Sequence, residues 1–359
     1  MTKSWSLFAA IGMVAAGIVV PFSQVLAQSA SNGAVAESAG QTAPPYDPPN
    51  DAALVEMNKP TLRALVVLRE GCIIYEYYRR DITVQTQSAV YSITKSILSI
   101  LFGIAIDERY LRLDEKLVQI MPDAFDRETD PIAQNVTIRD LLTMTSGFSE
   151  GSQTSFPTQD MWRWMLHRSI KYAPGTHFLY DGPAADLLGV VLSRATQQDP
   201  EQFARVKLFQ PLGIEDYTWL ADHEGHLLGY GHLYMTARDM AKIGLLYLRG
   251  GRWGDRQIVS EQYVHDSTTK HNDGGPPVRD AAYGYLWWLR KTNTGEDAFF
   301  AAGIHSQLIY VVPKRDLVIA MSAETIPGGS QRYIDETVMP GVASLPDSAK
   351  CIAGASSQN

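Results

Sequence analysis

Several signals that would assign a function are missing from this chain of 359 residues. Its formal net charge is −8 and no basic stripe stands out, so nucleic acid is not expected as a partner. The sequence contains no G-x-S-x-G elbow, no H-E-x-x-H motif, no P-loop and no G-x-G-x-x-G fingerprint. What is left is an ordinary globular composition, with 45% hydrophobic and 19% charged residues.

Cysteine is also scarce. Cys72 lies in an early predicted strand, Cys351 lies near the C-terminus, and neither belongs to a C-x-x-C or metal-type pattern. The two thiols could pair in an oxidising compartment, but their spacing does not decide whether they meet. His223 and His226 are three residues apart, and without a metal motif they are interpreted as surface or loop histidines.

The N-terminus has the pattern of a targeting segment. Lys3 supplies a positive charge, Leu7 to Val20 is an apolar run of 14 residues, and Val25-Leu26-Ala27 fits a small-residue cleavage site. The run is short for a membrane-spanning helix, so cleavage is favoured over an uncleaved anchor. We therefore expect a signal peptide over residues 1–27 and a periplasmic or secreted mature protein without a stable membrane anchor.

Strand-like runs lie at both ends of the remaining chain, and the middle is mainly helical. Ala64–Leu68 with Cys72–Tyr78 predicts one antiparallel hairpin, and Gln307–Val312 with Leu317–Met321 predicts another. The order predicts an α/β (α+β) fold in which helices flank an antiparallel β-sheet and an all-helical lobe is inserted. The predicted boundaries are a flexible linker over 28–50, a domain over 51–345 with its lobe at about 105–225, and a tail over 346–359.

Further elements are predicted between the hairpins. Tyr283–Leu289 is an aromatic-rich strand candidate, whose rings either line a cleft or pack within the sheet. Helices are predicted from Ser92, from Thr137 as N-cap, over Asp160–His167, Asp181–Ala195 and Thr236–Leu248, and over about Gln331–Val338.

The strongest chemical signal is Ser92-Ile93-Thr94-Lys95, an S-x-x-K tetrad at the start of an apolar helical run. A serine hydroxyl is a weak nucleophile until a base removes its proton, and a lysine one helical turn away lies on the same face. Ser92, Lys95, Ser96 and Ser99 form a narrow polar stripe on this helix. A buried lysine is costly unless it is paired or deprotonated, so Lys95 is predicted to be the base.

A serine–lysine site also needs a second proton-handling group and two backbone N–H groups that face the developing oxyanion. Tyr180 is a candidate for the first role, because it lies in a turn-rich segment that opens a predicted helix; packing is the alternative. Gly303 precedes a strand, where a glycine lets a substrate approach the backbone, although a β-bulge would also explain it. The N–H groups of this segment and of Ser92 are predicted to form the oxyanion hole.

A consistent order of segments behind the tetrad points to one family. The region from about Leu62 to Ala343 resembles the serine β-lactamase/penicillin-binding-protein-like superfamily. It looks closest to the class C-like hydrolases, which include esterases and the 6-aminohexanoate-dimer hydrolases. The segments that carry the resemblance are Val90–Ser96, Leu111–Lys116, Ile138–Phe148, Pro174–Tyr180 followed by Leu187–Gly189, and Gly231–Ala241.

The resemblance implies a β-lactamase/transpeptidase-like fold and a role for each site residue. Ser92 would be the acylated nucleophile, Lys95 would accept its proton, and Tyr180 would pass protons to the leaving group and later from water. The backbone N–H groups of Ser92 and Ile304 would bind the oxyanion, beside Gly303. No metal or organic cofactor is implied.

Two departures from the family pattern bear on the substrate. Tyr180-Asp181-Gly182 replaces the Y-x-N or Y-x-S of lactam-recognising members, and Ala301-Ala302-Gly303 replaces their K-T-G or H-T-G. The second change removes a cation that normally meets a substrate carboxylate, which costs about 1.5–3 kcal/mol. His305 and Arg315 are candidate replacements that the sequence does not place. Gly303–Gln307 instead resembles the corresponding segment of amide and ester hydrolases.

The leading hypothesis is an exported serine hydrolase that cleaves an ester or amide bond in a small-molecule or peptide-like substrate. One alternative shares the nucleophile and is a D,D-carboxypeptidase or β-lactamase that acts on cell-wall peptides or β-lactams. The other is a non-catalytic binding protein with a relict site, against which the joint retention of Ser92, Lys95 and Tyr180 argues. The sequence does not reveal the natural substrate or the oligomeric state.

Overall fold

An antiparallel β-sheet of eight strands forms the centre of this computed structural model, which describes residues 60–150, 161–343, 345 and 350–351. The predicted signal peptide and linker lie outside the described residues, as does the predicted tail apart from residues 350–351. The described residues belong to the compact unit that begins at Pro48.

The sheet joins strands from both ends of the described chain. In sheet order they are β13 (Lys350–Cys351), β2 (Cys72–Tyr78), β1 (Leu62–Arg69), β12 (Leu317–Ala323), β11 (Gln307–Val312), β10 (Asp297–Gly303), β9 (Trp288–Lys291) and β8 (Ala282–Tyr283). Both predicted hairpins are confirmed, and they lie side by side because β1 pairs with β12. Strands β11 and β12 are buried along their whole length, as expected of continuous apolar sequence covered on both faces.

Smaller strand pairs hold the connections. β3 (Ser88–Ala89), β5 (Leu233–Met235) and β4 (Thr218–Trp219) form a three-stranded sheet, and β6 (Arg252–Trp253) pairs with β7 (Arg256–Gln257). The pairing of β3 with β5 fixes the chain just before Ser92 against Tyr234 and Met235.

Helices make up most of the regular structure between β3 and β8. They are α1 (Ile93–Asp107), α2 (Leu117–Ile120), α3 (Ile138–Leu142), α4 (Met161–Leu166), α5 (Gly182–Thr196), α6 (Pro200–Ala204), α7 (Ala237–Leu248) and α8 (Glu261–Ser267), with α9 (Ser330–Tyr333) and α10 (Met339–Ala343) near the C-terminus. Thr137 caps α3 as predicted, since its side chain accepts a hydrogen bond from the Asp140 N–H. No helix among the described residues has the length and apolar character needed to cross a membrane.

Helix α1 lies at the centre of the packing. Its residues from Ile93 to Ala105 are all buried, and it contacts α5 on one side and strands β10 and β11 on another. Helix α7 packs across β1, β11 and β12. The predicted α/β (α+β) class, with an antiparallel sheet flanked by helices, is therefore confirmed.

One predicted strand is wrong. The aromatic segment Tyr283–Leu289 contains the end of β8, a tight turn and the start of β9, which pairs antiparallel with β8. In the turn the Gly284 N–H donates to the Trp287 carbonyl, and Leu286 adopts a left-handed φ of 60°. Aromatic residues favour strands, but their pattern does not reveal that the chain reverses within the segment.

The two cysteines meet. Cys72 and Cys351 are opposite each other on β2 and β13 and form a disulfide. The bond ties the last described strand to the N-terminal hairpin across 279 residues of sequence.

Candidate active site

Ser92 stands at the N-terminus of α1, in the wall of a cavity of about 950 Å³ that we call the Ser92 cavity. The preceding residue, Tyr91, has a left-handed φ of 49°, which is strained for a bulky residue and turns the chain sharply into the helix. The Ser92 side chain makes no capping hydrogen bond to the helix. Its hydroxyl is therefore available to other groups.

Lys95 reaches that hydroxyl. Its Nζ atom lies 3.0 Å from Ser92 Oγ and donates a second hydrogen bond of 2.5 Å to the Tyr230 carbonyl. Lys95 is 1% exposed. Burial lowers the pKa of Lys95 to about 7, while the negative charges of Asp186 and Asp181 oppose that shift. The lowered pKa favours the neutral amine, which is the form that a general base requires.

Tyr180 lies on the other side of the nucleophile, just before α5. Its ring stacks on Trp288 with centroids 5.6 Å apart, and Lys95 Nζ is 5.3 Å from its ring centre. Burial raises the pKa of Tyr180 to about 12, and a hydrogen bond with the Ser92 side chain opposes that shift. The raised pKa keeps the Tyr180 phenol protonated at neutral pH, which is the form that can donate a proton.

The unusual Asp181-Gly182 pair has a structural explanation. Asp181 is buried, forms an ion pair with the buried Arg168 and caps α5 by accepting from the Ala184 N–H. A Cβ atom at Gly182 would come within 2.6 Å of the Tyr230 ring. The space that an Asn or Ser side chain would need at the third motif position is occupied by Tyr230.

The end of β10 lies beside the nucleophile. A Cβ atom at Gly303 would come within 2.4 Å of the Val90 carbonyl, so only glycine permits this close approach to the segment before Ser92. Ile304, a residue that is 61% exposed, follows directly and lines the Ser92 cavity. The structure therefore places Gly303 against the segment before Ser92 and Ile304 in the wall of the same cavity as Ser92, while their oxyanion role stays a prediction.

His305 points elsewhere. It lines a neighbouring cavity of about 410 Å³, here called the His305 cavity, together with Arg63. Its Nδ1 atom lies 3.1 Å from Thr325 Oγ1, and its ring packs edge-on against Tyr91. Arg315, the other candidate cation, donates to Glu296 at 2.7 Å. Neither residue is among the described residues that line the Ser92 cavity.

The walls of the Ser92 cavity are mostly aromatic and apolar. Within the described lining, Lys95 is the only lysine or arginine and the carboxylates are those of Glu150 and Asp181. The aromatic and apolar residues of the lining are Ala89, Tyr91, Phe178, Leu179, Tyr180, Pro183, Tyr230, Tyr234, Pro276, Pro277 and Ile304, and two histidines, His177 and His232, accompany them. The rings of Tyr283 and Trp288 form a layer behind Phe178 and Tyr180 instead of lining the cavity.

Two contributors to the site were not predicted. Tyr230 acts through its backbone carbonyl, so its side chain gives no sequence signal. Asp186 is buried and its Oδ1 accepts from the Tyr230 N–H at 3.0 Å. A lone carboxylate in the otherwise apolar run of α5 is the signal that could have found it, because such a group is costly unless it is bonded.

A second polar cluster lies on the loop before Tyr230. Asp222, Glu224 and His226 place potential metal-ligand atoms within 4.8 Å of one another. Hydrogen bonds already connect them, since His226 Nδ1 lies 3.0 Å from Asp222 and Glu224 accepts from the Trp162 indole. The cluster therefore has a structural explanation as a network that joins this loop to α4.

Comparison with known proteins places this geometry in a family. The family model described as Beta-lactamase matches residues 51–339. The chain is 22% identical over 283 residues to 6-aminohexanoate-dimer hydrolase of Paenarthrobacter ureafaciens, which covers 71% of each chain. It is 27% identical over 177 residues to Esterase EstB of Burkholderia gladioli, which covers 42% of this chain and 45% of that one.

The fold has solved counterparts as well. The octameric penicillin-binding protein homologue from Pyrococcus abyssi matches with a TM-score of 0.64 and 20% identity, over 81% of this chain and 75% of that one. The chain belongs to the beta-lactamase family, a family of serine hydrolases with esterase and amidase members, and has the β-lactamase/penicillin-binding-protein fold.

Proposed function

We propose that this protein is an exported serine hydrolase that cleaves an ester or amide bond through an acyl-enzyme on Ser92. The observation that carries the proposal is the contact of 3.0 Å between Lys95 Nζ and Ser92 Oγ, made by a lysine whose pKa burial lowers to about 7. A buried, deprotonable amine beside a serine in a cavity wall is the arrangement that nucleophilic catalysis needs.

The proposed reaction has two halves. Neutral Lys95 takes the Ser92 hydroxyl proton as Oγ attacks the substrate carbonyl, and the oxyanion lies against the N–H groups of Ser92 and Ile304. The Tyr180 hydroxyl gives its proton to the leaving oxygen or nitrogen and recovers one from Lys95. A water molecule then attacks the acyl-enzyme and gives its proton to Lys95. Lys95 passes that proton to Ser92 Oγ as the bond between Oγ and the acyl carbon breaks and the acid leaves.

The composition of the Ser92 cavity supports an uncharged substrate. Among the described lining residues, a carboxylate would find no arginine and no lysine other than Lys95. The basic groups that remain are His177 and His232, and burial lowers the pKa of His232. Phe178, Tyr234 and Ile304 offer apolar surface for an acyl or aryl group. A D,D-carboxypeptidase or β-lactamase activity is therefore disfavoured, in agreement with the Ala301-Ala302-Gly303 sequence at the position of the family's cation.

Export is supported from two sides. Residues 1–27 have the charge, apolar run and cleavage site of a signal peptide. The Cys72–Cys351 disulfide fits an oxidising compartment, where such bonds persist.

The test is intact-mass spectrometry after exposure to a fluorophosphonate probe, with wild type beside Ser92→Ala. We expect one adduct on wild type and none on Ser92→Ala, with hydrolysis of short neutral esters following the same pattern. An adduct on both proteins, or on neither, would contradict an activated Ser92. Stable labelling of wild type by a fluorescent penicillin would instead favour the D,D-carboxypeptidase alternative.

A further inference from the structure

Asp186 is a buried carboxyl group that holds the loop at residues 229 and 230, next to Lys95. It lies in α5 and is 5% exposed. Its Oδ1 atom accepts from the Tyr230 N–H at 3.0 Å, and the Gly229 N–H donates to the same carboxyl group. Two consecutive backbone N–H groups therefore bind one carboxyl, which fixes both the position and the direction of this piece of loop.

The loop is also pressed tightly against α5. A Cβ atom at Gly229 would come within 2.2 Å of the Ala185 carbonyl, so any other residue would push the loop away from the helix. Asp186 and the close packing of Gly229 thus hold the same stretch of backbone, residues 229 and 230. Together they set where the next carbonyl, that of Tyr230, is placed.

The Tyr230 carbonyl is the second partner of the catalytic amine. Lys95 Nζ donates to it at 2.5 Å and lies 3.0 Å from Ser92 Oγ. Tyr230 is therefore held at its N–H by Asp186, while its carbonyl holds Lys95. A shift of the loop would move the amine relative to the serine hydroxyl.

The charges around Lys95 make Asp186 distinctive. Asp181 also faces Lys95, but it is ion-paired with Arg168. The hydrogen bonds of Asp186 in the described structure go to backbone N–H groups, and the cation that acts on its carboxyl group is Lys95. The other titratable groups that face the two residues are Tyr180 and His232 toward Lys95, Tyr230 toward both, and Asp222 toward Asp186.

We propose that Asp186 is a positioning residue that aims Lys95 at Ser92 through the Tyr230 backbone and, by its charge, sets the pH at which Lys95 becomes a base. The inference rests on the proposed function, because it assigns Lys95 the role of base. Burial raises the pKa of Asp186, and the positive charge of Lys95 opposes that rise, so each of the two groups influences the charge of the other.

Two substitutions separate the contributions of shape and charge. Asp186→Asn keeps an acceptor for the Tyr230 N–H and removes the charge, whereas Asp186→Ala removes both. Without the negative charge the protonated amine is less favoured, so the acid limb of kcat/KM should move to lower pH by about one unit in both variants. At the plateau, kcat should stay within about fivefold of wild type in Asp186→Asn and fall about 10- to 100-fold in Asp186→Ala, because only the second releases the loop.

The control is Asp297→Asn, which removes one negative charge from an exposed ion pair with Lys291. It should keep the wild-type acid limb.

A second readout does not need turnover. The Lys95 amine is titrated by nitrogen-15 NMR in a Ser92→Ala background, with its signal assigned by its loss in Lys95→Arg. The titration should move to lower pH when Asp186→Asn is added. An unchanged Lys95 titration in a folded Asp186→Asn protein would overturn the proposal, whether or not Asp186→Ala folds. A wild type that lacks Ser92-dependent activity would instead reject the proposed function, while the Lys95 titration would still decide the role of Asp186.

Discussion

The Ser92 cavity and the His305 cavity share a wall, but their basic side chains differ: the first contains a buried lysine and the second an arginine. Tyr91 lines both of them. On the Ser92 side, Lys95 is the only lysine or arginine of the described lining, and burial lowers its pKa to about 7. On the other side Arg63 is partly exposed to solvent and, as an arginine, stays charged at any working pH.

This difference shows how burial determines whether a basic side chain can lose its proton near neutral pH. A base must be able to lose its proton, and only the buried amine can do so near neutral pH. A carboxylate-binding cation must keep its charge, and such a cation lies on the far side of Tyr91 from the nucleophile. The described lining of the Ser92 cavity thus contains no arginine, and its one lysine has a lowered pKa.

The largest effect is expected when the buried amine of Lys95 is removed. Lys95→Met keeps the apolar length of the side chain but has no proton acceptor, so kcat should fall about 10³- to 10⁴-fold. Steady-state hydrolysis of a neutral ester measures this. Lys116→Met is the matched control, because Lys116 binds Asn135 at a site away from the cavity, and it should behave as wild type. Activity of Lys95→Met within tenfold of wild type would rule out Lys95 as the base.

The second substitution removes only the phenol. Tyr180→Phe keeps the stacking on Trp288 and loses the proton donor, so kcat should fall about 100-fold while KM changes little. Tyr217→Phe serves as control, because the Tyr217 hydroxyl donates to Glu201 and neither residue lines the Ser92 cavity. A large rise in KM with unchanged kcat would show that Tyr180 binds substrate rather than transferring a proton.

The charge of the substrate tests whether the Ser92 cavity can bind a carboxylate. A neutral ester and the same ester with a carboxylate on its acyl group should differ in kcat/KM by about tenfold or more in favour of the neutral one. The expected size corresponds to the loss of one charge-assisted hydrogen bond, at about 1.5–3 kcal/mol. Equal values for the two esters would mean that a cation reaches the acyl group after all.

The smallest effect is expected on the far side of Tyr91. His305→Ala should change kcat/KM for the neutral ester by no more than about twofold, since surface substitutions away from a site stay within about 0.5 kcal/mol. The measurement is the same ester assay, made beside Tyr180→Phe. A loss of tenfold or more would place His305 in the reaction and erase the distinction between the two cavities.

Much of the site was predictable because it lies on one helix. The spacing of Ser92 and Lys95 puts them on one face of α1, and the polar stripe required partners for its other members. The structure supplies them, since Ser96 donates to the Leu286 carbonyl and Ser99 bonds the Tyr263 hydroxyl. Helical periodicity and the cost of buried polar groups are local rules, so the sequence is sufficient to apply them.

The remainder depends on contacts between distant segments. The Tyr230 carbonyl is a backbone group, and no pattern of side chains predicts that it faces Lys95. The placement of His305 away from Ser92 follows from a left-handed backbone at residues 305 and 306, which a non-glycine sequence does not announce. The reversal within Tyr283–Leu289 was missed for the same reason.

The most direct test of the account is the pH dependence of kcat/KM for a neutral ester, measured from about pH 5.5 to 8.5 on wild type and Lys95→Met. Lys95 must be neutral to take the Ser92 proton, and burial lowers its pKa to about 7. The wild-type value should therefore rise about tenfold per unit at low pH and level off above about pH 7, and the residual activity of Lys95→Met should lack this step. A wild-type profile that is flat through neutral pH, or the same step in both proteins, would contradict the assignment of Lys95 as the base.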